Sequence, residues 1–365
     1  MPGRIVLFGA TGYTGRLTAE SLVARGVQPI LAGRSAERLK QLAADLGQDL
    51  ETRVADAADP SSVRALLKPG DVIVATVGPF VRVGEPAIRA AIEAGASYLD
   101  STGEPTFIRK VFEQYGDAAK KAGCGLVTAF GYDFVPGNLV GALALQRAGD
   151  AAVRIDVGYF VLGPIAGSGG TKASLAGSIT EPMMAWRDGG LVTERPARRV
   201  MSFPVQGRKR AAITISGSEV FALPRLAPQL QEVNVCLGWF GPMARPMQAM
   251  SAAGQLVQKI PGVRPLLRRA AERIPASTGG PSPAERERSG SWVVAVARDD
   301  RGSAIAQVAL QGPNPYTFTG DMLAWGAQRA AETGLRGTGA LGPVDAFGLT
   351  ELQAGCAESG MTAVE

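Results

Sequence analysis

Between Arg4 and Phe130, short apolar runs alternate six times with stretches that suit helices, and this regularity restricts the fold more than any other feature of the chain. The runs are Arg4–Phe8 (RIVLF), Pro29–Ala32, Thr52–Ala55, Asp71–Val77 (DVIVATV), Tyr98–Asp100 and Gly125–Phe130 (GLVTAF). RIVLF is a short apolar run suited to a strand covered on both faces, and the others read as strands beside it. The intervening segments carry helix punctuation. One stops at Gly26. Ser35 caps a second, whose Leu39, Leu42 and Leu46 share a face and which ends at Gly47. Asp59-Pro60 opens a third as N-cap and first residue, and Glu85–Ala94 is a fourth. A longer helix carries Phe107, Ile108, Val111, Phe112 and Tyr115. Six strand–helix steps of about twenty residues predict an α/β Rossmann domain, a doubly wound parallel sheet.

The pattern changes after Pro136. Val153, Ile155, Val157, Tyr159 and Val161 alternate with other residues, as in a strand with one covered face. Alternation recurs at Ala212–Ser216 and Glu232–Leu237, and Trp292–Ala297 and Ala304–Leu310 flank the hairpin turn Asp299-Asp300-Arg301-Gly302. The expectation is an inserted α+β domain with a mostly antiparallel sheet. A length of 365 residues accommodates such a division. The predicted boundaries are 1–136 for the dinucleotide-binding domain, 137–315 for the substrate domain and 316–365 for a C-terminal helical segment returning to the first. Ala276–Gly290, rich in Gly, Pro and Ser, reads as a mobile surface loop, and a last helix is expected from Thr319 to Ala331.

The chain has no histidine, which removes the Ser-His-Asp triad, the Cys-His pair and His-ligated zinc. Cys124, Cys236 and Cys356 are too far apart in sequence to suggest a metal knuckle or a disulfide framework, so no metal is expected. A net charge of +5 suits an anionic cofactor and falls short of a nucleic-acid footprint. Met1–Arg4 leads directly into the first strand without a leader-like apolar segment, so a cytoplasmic protein is expected.

Gly9-Ala10-Thr11-Gly12-Tyr13-Thr14-Gly15 follows the first strand and opens a helix. The glycines permit a tight turn and a close approach to a pyrophosphate, and the helix start supplies free N–H groups. The second strand ends in Gly33-Arg34-Ser35, where an NAD site usually carries a carboxylate. Arg34 can pair with a 2′-phosphate and Ser35 can donate to it, with Glu37 one turn on and pointing away; the expected coenzyme is therefore NADP(H). Asp56, ending the third strand, is either at the adenine edge or a turn residue.

Several strings together resemble the saccharopine dehydrogenase-like reductases, and within them the trans-acting enoyl reductase branch. They are GATGYTG (Gly9–Gly15), VGPF (Val77–Phe80), YLDSTGE (Tyr98–Glu104), GYDFVPGNL (Gly131–Leu139), SGGTKAS (Ser168–Ser174) and PYTFTGDMLAWGA (Pro315–Ala327). The family usually reads GFDS where this chain has Tyr132 in place of Phe and Phe134 in place of Ser. The resemblance implies a Rossmann domain, an inserted α/β substrate domain and hydride transfer from NADPH. Relatives reduce C=N or C=C bonds, so it leaves the acceptor open.

Ligands of an open parallel sheet lie beyond the carboxyl ends of its strands. Gly78, Pro79 and Phe80 would pass beside the nicotinamide ribose, or merely end a strand. Ser101, Thr102, Gly103 and Glu104 would hold the ring or a substrate carbonyl, or cap the following helix. With histidine absent, the proton donors available are Tyr132, Asp133, Lys172 and water, although Asp133 in its strand-end loop is either a buried, hydrogen-bonded structural carboxylate or a site acid. Phe134, Met183, Met184 and Trp186 could line an apolar acyl pocket or form core. Three functions compete: an NADPH-dependent enoyl reductase, its acyl substrate free or carrier-bound; a C=N reductase of an amino acid adduct; and a non-catalytic NADP(H) sensor. The segment Lys259–Arg273 alternates basic and apolar residues and would meet a carrier protein, an anionic membrane surface or only solvent. An oligomer is also compatible with the sequence.

Overall fold

A computed structural model describes residues 3–164, 183–257 and 279–364. The chain divides into two units, one of residues 1–135 and 315–361 and the other of residues 136–314 and 362–365. Lys172, the SGGTKAS string and the basic segment Lys259–Arg273 lie outside the described residues.

The first unit is a seven-stranded parallel sheet. Its strands are β1 (Ile5–Phe8), β2 (Ile30–Gly33), β3 (Thr52–Val54), β4 (Val72–Ala75), β5 (Ser97–Asp100), β6 (Gly125–Val127) and β15 (Gly339–Ala340), in the spatial order β15-β6-β5-β4-β1-β2-β3. β1, β2 and β4 are buried at every position, as continuous apolar runs require. β3 is the polar edge. The sequence-predicted strands β1–β6 are all present; β15, two residues long, is an addition at the other edge. The crossovers include α1 (Tyr13–Ala24), α2 (Ala36–Asp45), α3 (Pro60–Arg64), α4 (Phe80–Val83), α5 (Glu85–Ala94), α6 (Pro105–Lys110) and α7 (Gly116–Lys121). The expected long helix around Phe107–Tyr115 is thus α6 and α7 joined through a π-helical turn at Val111–Tyr115.

The C-terminal helix Pro315–Thr333, longer than expected, packs on α1 so closely that a Cβ on Gly320 would stand 2.9 Å from Leu17 Cβ. Two further helices, Pro343–Phe347 and Leu349–Glu358, complete this unit.

α8 (Val135–Ala148) carries the chain into the second unit, a nine-stranded mixed sheet. β7 (Arg154–Leu162) lies between β12 (Glu232–Leu237), parallel to it, and β13 (Gly290–Arg298), antiparallel. β14 (Ala304–Gly312) pairs with β13, and β16 (Thr362–Val364) with β14. β10 (Val200–Val205) and β11 (Arg208–Ile215) extend the other side, and β8 (Met183–Arg187) and β9 (Gly190–Glu194) form a hairpin off it.

Two local expectations, at β7 and at Ala276–Gly290, are corrected. β7 is buried on both faces rather than one, because its polar residues are paired: Asp156 accepts from Arg154, Arg298 and Asn234, and the Tyr159 hydroxyl donates to Glu219 at 2.6 Å. Met183, Met184 and Trp186 lie on a strand: both methionines are buried, and the Trp186 indole donates to the Leu230 carbonyl. The loop at Ala276–Gly290 contains the helix Pro283–Glu287, fixed by a reciprocal Ser282–Glu285 capping box.

Candidate functional site

The first unit gathers its chemistry at the carboxyl ends of β1, β2, β4, β5 and β6. After β1 the chain turns sharply. Gly9 has φ +92°, and a Cβ there would meet Thr76 Oγ1 at 2.7 Å. The Gly9 and Ala10 amides both donate to the Ala32 carbonyl at the end of β2, and Gly12 N–H donates back to Gly9. Gly15 packs α1 onto the turn, since a Cβ there would stand 2.2 Å from the Gly9 carbonyl oxygen. Gly12 is the N-cap of α1 and offers no side-chain cap, and no acidic residue occupies the first turn. The start of α1, with the amides of Thr14 and Gly15, therefore faces an anion approaching through Thr11 and Gly12. This cradle fits a pyrophosphate. Tyr13 meets Tyr316 of the C-terminal helix edge-on, with ring centroids 5.3 Å apart.

Arg34 follows β2 fully on the surface, and no described residue binds its guanidinium. Ser35 is the N-cap of α2, accepting from the Arg38 amide at 3.3 Å. Its hydroxyl donates to Glu37 at 3.0 Å, which corrects the expectation that Glu37 points away. Glu37's own backbone amide and that bond hold its carboxyl below the usual range. Arg38, which no sequence signal singled out, reaches the glycine loop: its Nη2 donates to the Thr11 carbonyl at 3.3 Å. Asp56 is committed to a turn, accepting from the Ala58 amide at 3.0 Å while its own amide donates to Ser62 Oγ.

Past β4, Gly78 and Pro79 are exposed. The Phe80 ring turns inward against Phe107, with centroids 5.5 Å apart, so only its backbone belongs to the edge. The Phe80 and Val81 amides, at the start of α4, each donate at 2.9 Å to the carboxylate of Glu104. Glu104 is therefore a cap for the preceding helix α4, whereas the sequence suggested ligand binding or capping of the helix that follows it. The Glu104 amide donates to Thr102 Oγ1, and the Thr102 amide donates to Asp100.

Asp100, at the end of β5, was not anticipated. Fully buried, it accepts from the amides of Thr102 and Ala129 and from Thr128 Oγ1 at 2.7 Å. Burial raises its carboxyl to about 6 even though these donors oppose the rise. One chain of bonds thus joins the loops after β4, β5 and β6.

The loop after β6 carries Tyr132 and Asp133. Its backbone is pinned: Tyr132 N–H donates to Thr319 Oγ1 of the C-terminal helix at 3.0 Å, and Phe134 N–H to the Ala129 carbonyl at 2.8 Å. The Tyr132 ring is only 3% exposed and stands edge-on to Phe318. Asp133 differs from its acidic neighbours. Its side chain accepts no hydrogen bond from any described residue, and its Oδ2 faces Gly103, 3.2 Å from where a Cβ would stand. Burial alone pushes its carboxyl up to about 6. Ser101, on the neighbouring loop, is partly buried, and Phe134 is buried in the core.

Among the described residues no group of His, Cys, Asp and Glu could hold a metal, and no helix is long and apolar enough to cross a membrane. Residues 5–127 match the family model of the saccharopine dehydrogenase NADP binding domain. A Mycobacterium tuberculosis protein provisionally named a trans-acting enoyl reductase is 30% identical over 363 residues, covering 87% of this chain and 86% of its own. The Mycobacterium leprae trans-acting enoyl reductase is 41% identical over 140 residues, 37% of this chain and 34% of its own. In architecture the chain is similar to the apo saccharopine dehydrogenase (L-Glu forming) of Saccharomyces cerevisiae, with a TM-score of 0.57 at 12% identity over 100% of both chains. The chain belongs to the saccharopine dehydrogenase-like reductases, in their trans-acting enoyl reductase branch, and is an NADP-dependent oxidoreductase.

Proposed function

We propose that the protein reduces the C=C bond of an unsaturated acyl thioester presented on a carrier. The observation that carries this reading is the absence of cationic side chains from the three loops around the reacting edge. Residues 76–80 (TVGPF), 101–104 (STGE) and 128–134 (TAFGYDF) hold neither Lys nor Arg. An amino acid adduct with several carboxylates would call for convergent guanidinium groups. The names of the mycobacterial relatives point the same way.

When bound, NADPH supplies the hydride. The chain's own contribution is positional. The turn Thr11–Gly12 and the amides at the start of α1 hold the pyrophosphate, and Arg34 holds the 2′-phosphate. Gly78, Pro79, Ser101 and Gly103 offer backbone and a hydroxyl beside the nicotinamide ribose, on loops kept in place by Glu104 and Asp100. Steady-state oxidation of NADPH is to be compared with an enoyl thioester and with an α-keto acid plus amino acid pair. Preference for the thioester is the expected result, and preference for the second pair would replace this reading with C=N reduction.

A further inference from the structure

Reduction of an enoyl thioester leaves electron density on the α-carbon and thioester oxygen, and a proton must reach the α-carbon. We infer that the carboxyl group of Asp133 delivers that proton; this rests on the enoyl reading above. In the overall step a hydride adds to the β-carbon, the π-bond electrons become the new α-C–H bond, and Asp133 loses its proton. The acyl chain gains two electrons as NADPH is oxidised, and the Asp133 carboxylate is reprotonated from water.

The argument starts from how the loop spends its polar groups. A carboxylate is an acceptor only, and at this edge it is either spent on protein donors or left open to water and a ligand. At this edge Asp100 accepts three hydrogen bonds and Glu104 two from backbone amides. Both carboxylates are occupied by protein donors. Asp133 accepts none among the described residues, although the amides on either side of it, Tyr132 and Phe134, are both bonded. The backbone is therefore rigid while the carboxyl is left open, as suits a group that must act on something other than the protein. Gly103 is the reason it fits: any side chain there would press on Oδ2 from a Cβ 3.2 Å away. The ionisable groups on these loops are Tyr132, Asp100 and Glu104. Tyr132 is enclosed against Phe318, and Asp100 and Glu104 are bound as described, so no opposite charge among the described residues holds Asp133 ionised. The raised carboxyl, about 6, keeps a protonated fraction near neutrality and suits an acid.

Two measurements test this. Carbon-13 NMR of the coenzyme-free protein labelled at aspartate carboxyls should show two titrations near 6, from Asp100 and Asp133, of which one disappears in Asp133→Asn. If the resonance lost in Asp133→Asn titrates instead at the ordinary aspartate value of about 4, the assignment is overturned. With a 2-methyl-2-butenoyl thioester as acceptor in D2O, wild type should give one configuration at the α-carbon. Asp133→Asn should lower turnover by about 10²–10⁴-fold and scramble that configuration, with NADPH affinity unchanged. Turnover and configuration both retained in Asp133→Asn would also overturn it. Should Asp133→Asn fail to bind NADPH, Asp133→Glu takes its place: partial turnover with one configuration supports the acid role, and scrambled product refutes it. If wild type reduces only the keto acid and amine pair, the enoyl reading falls, and the same variants assayed on that pair decide the role of Asp133 separately.

Discussion

Arg34→Asp should turn an NADPH-binding protein into one that prefers NADH. Arg34 lies on the surface with no bond to a described residue, so its guanidinium breaks nothing in order to meet a 2′-phosphate. A charge-assisted contact of this kind contributes about 1.5–3 kcal/mol. Reversing the charge adds repulsion, about 1 kcal/mol per pair of unit charges at 4 Å in a water-like dielectric. The sum, roughly 2.5–4 kcal/mol, corresponds to about a 10²–10³-fold loss of NADPH affinity. NADH, which has no 2′-phosphate, should lose nothing and can gain a bond from its ribose 2′-OH to the new carboxylate.

The surroundings of this contact add two further variants. Ser35 already donates to Glu37 and accepts from the Arg38 amide, so Ser35→Ala should change NADPH affinity only slightly. The exposed Glu37 carboxylate stands 3.0 Å from the Ser35 hydroxyl and opposes a phosphate there, so Glu37→Gln should tighten NADPH a few-fold at low salt. Fluorescence titration of both coenzymes against wild type and the three variants is the assay. If wild type binds NADH as tightly as NADPH, or Arg34→Asp leaves NADPH affinity within about threefold, the contact is not at Arg34. Arg38, already on the Thr11 carbonyl, would then be the candidate.

Glu104→Gln replaces an acceptor of two backbone bonds by a group with one acceptor oxygen, and should cost about 1.5–3 kcal/mol in denaturant unfolding. A change below about 0.5 kcal/mol would mean the α4 cap is not formed in solution. Asp133→Asn should raise stability above neutral pH. A carboxyl raised from 3.8 to about 6 in the folded state binds its proton more tightly there, so ionising it costs stability progressively as pH rises from about 4 through 6. The variant should gain about 1–3 kcal/mol over wild type at about pH 7.5 and nothing at about pH 3.5, read from paired melts. An equal difference at both pH values would show that charge is not the cause. Gly15→Ala should abolish NADPH binding, because its Cβ would sit 2.2 Å from the Gly9 carbonyl oxygen; unchanged affinity in titration would refute the close approach of α1 to the turn.

Strands β1, β2 and β4 were legible because strands covered on both faces leave no polar alternation to misread, and the helices between them because stops such as Gly26 and Gly47 are local signals. β15 and β16 were not legible. They are short, and their pairing with β6 and β14 is a tertiary fact. Pro283–Glu287 was missed for a different reason: the Ser282–Glu285 box was present in the sequence, but the surrounding Gly, Pro and Ser composition outweighed it. β8 was ambiguous because a short run of Met and Trp carries no decisive period. At the site, the glycine loop was visible because its chemistry is sequence-local, and Asp133 stood in the sequence as one of several candidate donors. The roles of Glu104, Asp100 and Thr319 depend on partners 23 to 187 residues away, and no spacing rule reaches that far.

Asp100, Glu104 and Asp133 show how one edge can assign different tasks to the same functional group. Each lies in a loop or strand end of the parallel sheet, and each is partly or wholly withdrawn from water. Withdrawal by itself raises a carboxyl, and donors bring it back down. Asp100 has three donors and still rises to about 6, so its burial is severe; its bonds to Thr102 and Ala129 make it a tie between two loops rather than a group free to move a proton. Glu104 spends both oxygens on the first turn of α4. Asp133 is raised to a similar value by burial with no donor among the described residues, while the residue keeps some exposure. A carboxyl that is raised, open to a ligand and held on a pinned backbone can both carry a proton and give it up. The two tied carboxylates keep the loops around it still, and a chain without histidine has no other acid on these loops with the same freedom.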